Sequence, residues 1–254
     1  MTAQTYIPSS GLIGKLKRQA ARRLSRTPLK VELDHPLVSF SFDDFPRSAG
    51  EAGAEILEKQ GWRATYFAGG GYAGGENHLG PMYDLEDLKR LHEKGHEIAC
   101  HTFSHIDISQ TRLDDVEAEV DRNRAFFNEA GFEVEFESFA FPYGEASPAA
   151  KTALLKRFKV LRGVRPGINR TGSDRGLLTA VPLDGGEAGL RRALNWIAEA
   201  RAKPGWLIFY GHDVREMPSE WGCTPAFLKA VCERVAEIGA QVDTIAGAIR
   251  RLDA

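Results

Sequence analysis

The sequence predicts an α/β protein, a mainly parallel sheet covered by helices. Short apolar runs recur after residue 36, and helical stretches separate most of them. Polar side chains with chemical potential gather just past several of the runs. The loops at the carboxyl ends of parallel strands are where such folds assemble their sites.

Taken in order, strands are expected at 37–42, 63–68, 96–100, 136–141, 158–162, 178–182, 206–210 and 240–243. Helices are expected at 49–60, 84–94, 110–130, 147–157, 187–202 and 225–238. The clearest is 110–130, where Leu113, Val116, Val120, Arg124 and Phe127 keep the helical period. Asp114, Asp115, Glu117, Glu119 and Asp121 fill its early turns, which suits the helix dipole. At 254 residues the chain can bury one full-sized core. No repeat or linker divides it. We read a basic segment over 1–34 and one catalytic domain over 35–254.

The net charge of -2 hides an asymmetry. Residues 1–30 hold seven basic side chains and no acid, leaving 26 basic against 35 acidic residues in 31–254, about -9. So acidic a body argues against nucleic acid as a partner and tolerates neutral polymers or cationic products. Leu12, Leu16, Ala20 and Leu24 recur at helical spacing among positive groups. Residues 12–26 are therefore expected to touch the cytoplasmic face of an inner membrane peripherally. No run is long enough to span a bilayer and no apolar signal core is visible, so the expected location is cytoplasmic. Cys100, Cys223 and Cys232 lack ligand spacing and read as free thiols, Cys100 as core packing.

Two irregular regions interrupt the alternation. Gly69-Gly70-Gly71-Tyr72-Ala73-Gly74-Gly75 lacks a phosphate-cradle context and reads as a flexible flap beside a substrate groove. The second is the loop 211–224. Tyr72 and Trp221, in these regions, are the candidates for substrate contact; Trp62, Tyr83 and Trp206 read as packing. His35, His78 and His92 carry no site argument.

The first strand runs Leu37-Val38-Ser39-Phe40-Ser41-Phe42 and ends in Asp43-Asp44. Successive strand side chains diverge, so one carboxylate can hold a metal while the other handles a proton. After the third strand comes His101-Thr102-Phe103-Ser104-His105. Two imidazoles four residues apart, with one aspartate, make a metal site with open positions for water. Asp44, further along the loop, is the candidate third ligand, although spacing alone leaves Asp43 and Asp44 interchangeable. The remaining carboxylate would accept a proton from attacking water, and His212, past the seventh strand, would return one to a departing amine.

These residues resemble the polysaccharide deacetylase family, the NodB-homology domain of carbohydrate esterase family 4. The resemblance lies in Ser41-Phe42-Asp43-Asp44, His101-Thr102-Phe103-Ser104-His105, Pro142-Tyr143-Gly144 and the run Leu207–His212, in family order over roughly residues 35–250. It implies a distorted (β/α)7-type barrel, with Asp43 as general base and Asp44, His101 and His105 holding a divalent ion. That ion is most often zinc, with cobalt, nickel or manganese as alternatives. The backbone N–H of Tyr143 would help hold the oxyanion and His212 would be the general acid. The reaction implied is removal of N-acetyl groups from N-acetylglucosamine-type residues of an N-acetylated polysaccharide or oligosaccharide.

A narrower likeness, to bacterial holdfast polysaccharide deacetylases, points to an adhesive exopolysaccharide. Alternatives are another N- or O-acetylated substrate (chitooligosaccharide, peptidoglycan, a small molecule) or a non-catalytic carbohydrate-binding module. The chain departs from the family in two places. Many members carry an arginine before Pro-Tyr-Gly, where this chain has Phe139-Ala140-Phe141, so Arg162 or Arg165 is expected to supply the cation. The acid that tunes the catalytic histidine is also not recognisable, leaving Asp213 and Asp184 as candidates.

Overall fold

The computed structural model describes residues 11–132 and 135–254; the first ten residues of the basic segment lie outside these. The chain opens with helix α1 (Leu12–Arg23) and then β1 (Leu37–Asp43). A π-helical turn, Ala49–Gly53, runs into α2 (Ala54–Glu58) and then β2 (Thr65–Ala68). A small hairpin, β3 (Glu76–Asn77) and β4 (Gly80–Pro81), precedes α3 (Leu85–Glu93) and β5 (Glu97–Cys100). Next come α4 (Leu113–Glu129), β6 (Ser138–Ala140), α5 (Pro148–Leu154), β7 (Val160–Arg162) and β8 (Ile168–Asn169). The chain ends with β9 (Val181–Pro182), α6 (Gly186–Ala202), β10 (Trp206–Gly211), α7 (Pro225–Glu237), β11 (Gln241–Val242) and α8 (Ile245–Asp253).

The sheet order is β7-β6-β5-β2-β1-β10-β8, parallel except for β8. Segment 178–182 bridges the two ends. Leu178 pairs with Arg162 at the end of β7, while β9 pairs with β10. The sheet therefore curls into the distorted barrel expected from the motifs.

Alternation along the strands separates two cores. Val38, Phe40, Phe42, Tyr66, Ile98, Phe139, Leu161 and Phe209 face the helices, each phenyl ring contributing about 2–3 kcal/mol by burial. Leu37, Phe67, Ala99, Ala140, Val160, Trp206 and Ile208 face the barrel interior. Ser39 and Ser41 leave room there. The Trp206 indole Nε1 donates to Ser39 Oγ at 2.9 Å, and Ser41 Oγ donates to the Phe209 carbonyl at 2.9 Å. The lower end is closed by α8, whose Ile245, Ala248 and Ile249 join the interior core. This helix is absent from the sequence expectations, although Thr244 caps it through a 3.0 Å bond from Gly247 N–H.

In the glycine run the first three residues depart from the expected flexible flap. Gly69–Gly71 packs against Phe103 and Phe126, whereas Gly74 has open space around it. The Gly70 N–H donates to Asn123 Oδ1 at 2.8 Å, and a Cβ there would meet Phe126 at 2.6 Å. The three cysteines are buried free thiols. Among the described residues no helix is long and apolar enough to cross a membrane.

Candidate active site

The interior-facing register that buries Leu37 continues through Ser39 and Ser41 to Asp43 at the upper rim of the barrel. Asp44 follows with φ 61°, a left-handed turn that brings the next carboxylate back over the rim. His101 directly follows β5, and its Nδ1 lies 2.9 Å from the Ala140 carbonyl. A backbone carbonyl can only accept, so Nδ1 carries the proton and the Nε2 lone pair is left for a ligand. His105, at φ 53°, turns its ring to 4.9 Å from that of His101.

These three side chains converge. Asp44 Oδ1 lies 3.5 Å from His101 Nε2 and 3.3 Å from His105 Nε2, and one ligand atom from each residue falls within 4.8 Å of the others. The Asp44 oxygen is buried and accepts no hydrogen bond. Burial raises the Asp44 carboxyl above its usual range, although nearby His101 and His212 pull the other way. Burial also lowers His101 to about 4 and His105 to about 3, so both rings are neutral near pH 7. An orphaned carboxylate oxygen facing the Nε2 atoms of two neutral imidazoles is a donor set that fits a divalent ion of the zinc type.

Asp43 is held differently. Burial alone would raise it, but the Arg162 guanidinium, together with nearby His101 and His212, holds the carboxyl below its usual range. Arg162 Nη2 donates to Asp43 Oδ1 in a tight contact. The fully buried guanidinium sits 5.0 Å from the Phe67 ring centre and 5.1 Å from that of Tyr210. Arg162 is the register partner of Ala140 on the neighbouring strand. The alanine where many relatives carry arginine thus lies beside the strand position that supplies one. Arg165, the other candidate, is exposed and lines a cleft outside the barrel.

His212 follows β10 on the same rim, with Nδ1 3.2 Å from the Trp221 carbonyl. That contact orients the ring and turns Nε2 outward as the exchangeable position. Neither acid expected to tune it does so. Asp213 is committed to Arg215 Nε at 2.8 Å and to the N–H and hydroxyl of Ser219. Asp184 pairs with Arg192 at 2.6 Å. Sequence reasoning missed the Trp221 carbonyl because any residue can supply one.

Tyr143 takes φ 58° in the turn Pro142–Gly144, its ring 4.3 Å from that of His105. Tyr72 lies 5.9 Å from His105, and Trp221 is 52% exposed beside His212, so both border the rim. Trp62 stacks on Phe40, Tyr83 donates to the Gly69 carbonyl and Trp206 is buried, all three serving packing as expected. His78, set aside by the sequence reading, lies on the β3–β4 hairpin close enough for its charge to reach Asp44 and His105.

Comparison with known proteins bears on this centre. No curated protein matches the chain significantly. A CE4 domain of a multidomain xylanase from the hindgut metagenome of Trinervitermes trinervoides is 21% identical with a TM-score of 0.61, over 87% of this chain and 93% of that one. A chitin deacetylase from the fungal pathogen Colletotrichum lindemuthianum gives 16% and 0.62, over 87% and 92%. A CE4 family pseudoenzyme from Bacillus anthracis gives 16% and 0.58, over 89% and 70%. These likenesses establish the shared fold. The polysaccharide deacetylase family model matches residues 30–159, the stretch that carries Asp43, Asp44, His101, His105 and Tyr143, and the chain belongs to that family.

Proposed function

We propose that the chain is a metal-dependent hydrolase that removes N-acetyl groups from N-acetylglucosamine-type residues of an exopolysaccharide. The observation that carries this reading is the Asp44–His101–His105 cluster, beside a separate aspartate kept ionised by Arg162. Asp44, His101 and His105 would hold a zinc-type ion, which when bound activates water and polarises the acetyl carbonyl.

Asp43 accepts the proton of the attacking water. A base must be ionised to do so, and the Arg162 contact supplies that condition. The same contact orients the carboxylate so that one oxygen stays with the guanidinium. The Tyr143 N–H, set by the tight Pro142–Gly144 turn, helps hold the oxygen that becomes negative as the carbonyl is attacked. His212, oriented through the Trp221 carbonyl, gives its Nε2 proton to the departing amine. Acetate and a free glucosamine amine result. Tyr72 and Trp221 supply aromatic surfaces against sugar rings at the rim.

A location beside a membrane is supported by α1. Leu12, Ile13 and Leu16 are 74%, 71% and 60% exposed on a helix with Lys15, Lys17 and Arg18. Such a helix supports peripheral contact with an anionic membrane and action on nascent glycan at the cytoplasmic face.

The test is acetate release from defined N-acetylglucosamine oligomers by wild type, Asp43→Asn and His101→Ala. Wild type should release acetate; Asp43→Asn should keep metal and lose release; His101→Ala should lose both. Undiminished release by either variant at saturating metal would sink the mechanism.

A further inference from the structure

A cleft of about 880 Å³ opens between the C-terminal half of α1 and the loops that follow β6 and β7. Tyr143 lines it and also packs against His105, so the cleft and the strand-end centre meet at this residue. Its walls are strongly basic. Arg18, Arg22, Arg23 and Arg26 come from α1 and its exit, and Arg165 comes from the facing loop. Two acids share the lining, and both are committed. Glu145 pairs with Arg18 at 3.0 Å, and Asp174 pairs with the buried Lys151. Arg26 donates to the Gly172 carbonyl at 2.7 Å. Among the described residues, Arg22, Arg23 and Arg165 have neither ion pair nor hydrogen bond.

Cations at the end of a helix often serve its free carbonyls. Here that task is already taken. Lys151 Nζ donates to the Ala21 carbonyl at 2.7 Å and the Leu24 carbonyl at 3.0 Å. The same lysine clamps the end of α1 onto α5, so the arginines are presented from a fixed frame. Arginine forks match planar oxyanions, and a concave wall of one sign concentrates them. An open lipid surface is a poorer match. The exposed Leu12, Ile13 and Leu16 lie about 9–16 Å along the α1 axis from Arg22 and Arg23, and Leu24 is the one exposed leucine beside those arginines.

We propose that Arg22, Arg23 and Arg165 form an oxyanion subsite for a phosphate or carboxylate carried by the glycan, next to the sugar that loses its acetyl group. This rests on the deacetylase reading of the strand-end centre. The enzyme is then selective for an acidic glycan or a glycan phosphate over a neutral polymer of the same sugar. The product amines gain a cationic character in a chain that retains its anions.

The experiment uses the full chain loaded with zinc, in the Asp43→Asn background for binding and the wild-type background for turnover. Three oligosaccharides of equal length are compared: neutral N-acetylglucosamine, the same oligomer with a 6-phosphate, and an oligomer alternating N-acetylglucosamine with glucuronate. At low salt at least one anionic oligomer should bind about tenfold more tightly than the neutral one. The double variant Arg22→Ala/Arg165→Ala should abolish that ratio, and Arg23→Ala alone should reduce it. The phosphate and glucuronate arms identify which oxyanion is read. Equal binding of neutral and anionic oligomers overturns the proposal. So does a double variant that keeps the ratio while losing sedimentation with phosphatidylcholine–phosphatidylglycerol vesicles, which would assign the arginines to a membrane. If no oligomer releases acetate from the wild type while arginine-dependent anion binding persists, the deacetylase reading fails and the subsite stands.

Discussion

The two ends of the barrel each bury a carboxylate on the inward face, and they treat it in opposite ways. At the lower end Glu97 Oε2 accepts from the Thr65 hydroxyl at 2.7 Å and from the Ala246 N–H at 2.8 Å. Its charge faces the start of α8, where the helix dipole favours an anion. At the upper end Asp44 Oδ1 faces the Nε2 atoms of His101 and His105 and makes no hydrogen bond. Burial raises both carboxyls, so the shift does not distinguish them. The partners do. Glu97 keeps two donors on Oε2 and leaves only Oε1 without a partner, whereas Asp44 Oδ1 faces two imidazole nitrogens, a set of ligand atoms that a cation can bridge.

The largest separation of the two ends comes from isosteric amides. Asp44→Asn should lower zinc affinity by about 100-fold or more and abolish acetate release, as followed by metal titration and an acetate assay. Glu97→Gln should leave zinc affinity within about twofold. Equal loss of zinc in both variants would dissolve the distinction.

Arg162→Met comes next. It strands a buried carboxylate, so the variant should lose about 3 kcal/mol of stability at neutral pH by urea unfolding. The folded pKa of Asp43 is depressed, so its contribution is present above the unfolded value and is lost as pH falls through the folded one. The gap between wild type and variant should therefore narrow in acid. The acidic limb of kcat/KM should move to higher pH in the variant, because the base loses the cation that keeps it ionised. Arg162→Lys should recover part of the stability and less of the rate, since an ammonium lacks the fork geometry.

An effect of similar size, confined to acid, lies on the helix-facing side. His96 Nδ1 accepts from the Ala64 N–H at 3.0 Å, and its Nε2 faces Glu58 at 3.2 Å. Burial lowers this histidine to about 4. Below pH 6.5 the unfolded chain binds a proton that the folded one refuses, so wild type should lose about 3 kcal/mol between pH 6.5 and 4. His96→Gln should start less stable but fall less steeply over that window. The smallest effect is on stability in Glu97→Gln, about 1 kcal/mol in thermal melts, because an amide keeps one acceptor for the two donors.

Most of the upper end was legible in the chain. Apolar alternation located β1, β5 and β10, and the polar residues past each strand marked the rim where Asp43, Asp44, His101 and His212 now stand. The partner of Asp43 was half legible. Two arginines near one strand end were visible, but only register and facing choose Arg162, inside the barrel opposite Ala140, over Arg165 outside it. The orientation of His212 was not legible, because Asp213 looks like a partner in sequence and is consumed by Arg215 and Ser219 in space. Nor was the rigidity of Gly69–Gly71, since composition suggests freedom where Phe103 and Phe126 leave no room for a side chain. The lower end was the least legible. α8 carries Thr244 as a cap and Ile245, Ile249 and Leu252 at helical spacing, yet its role as a plug depends on a curvature that no local pattern encodes.

The most direct test of the centre is acetate release from an N-acetylglucosamine oligomer by full-length protein stripped of metal and then restored with zinc. Release should vanish on stripping, return on restoration, and stay absent in restored Asp44→Asn. Release that continues in the stripped protein, or that returns equally in Asp44→Asn, would contradict a metal centre at Asp44, His101 and His105.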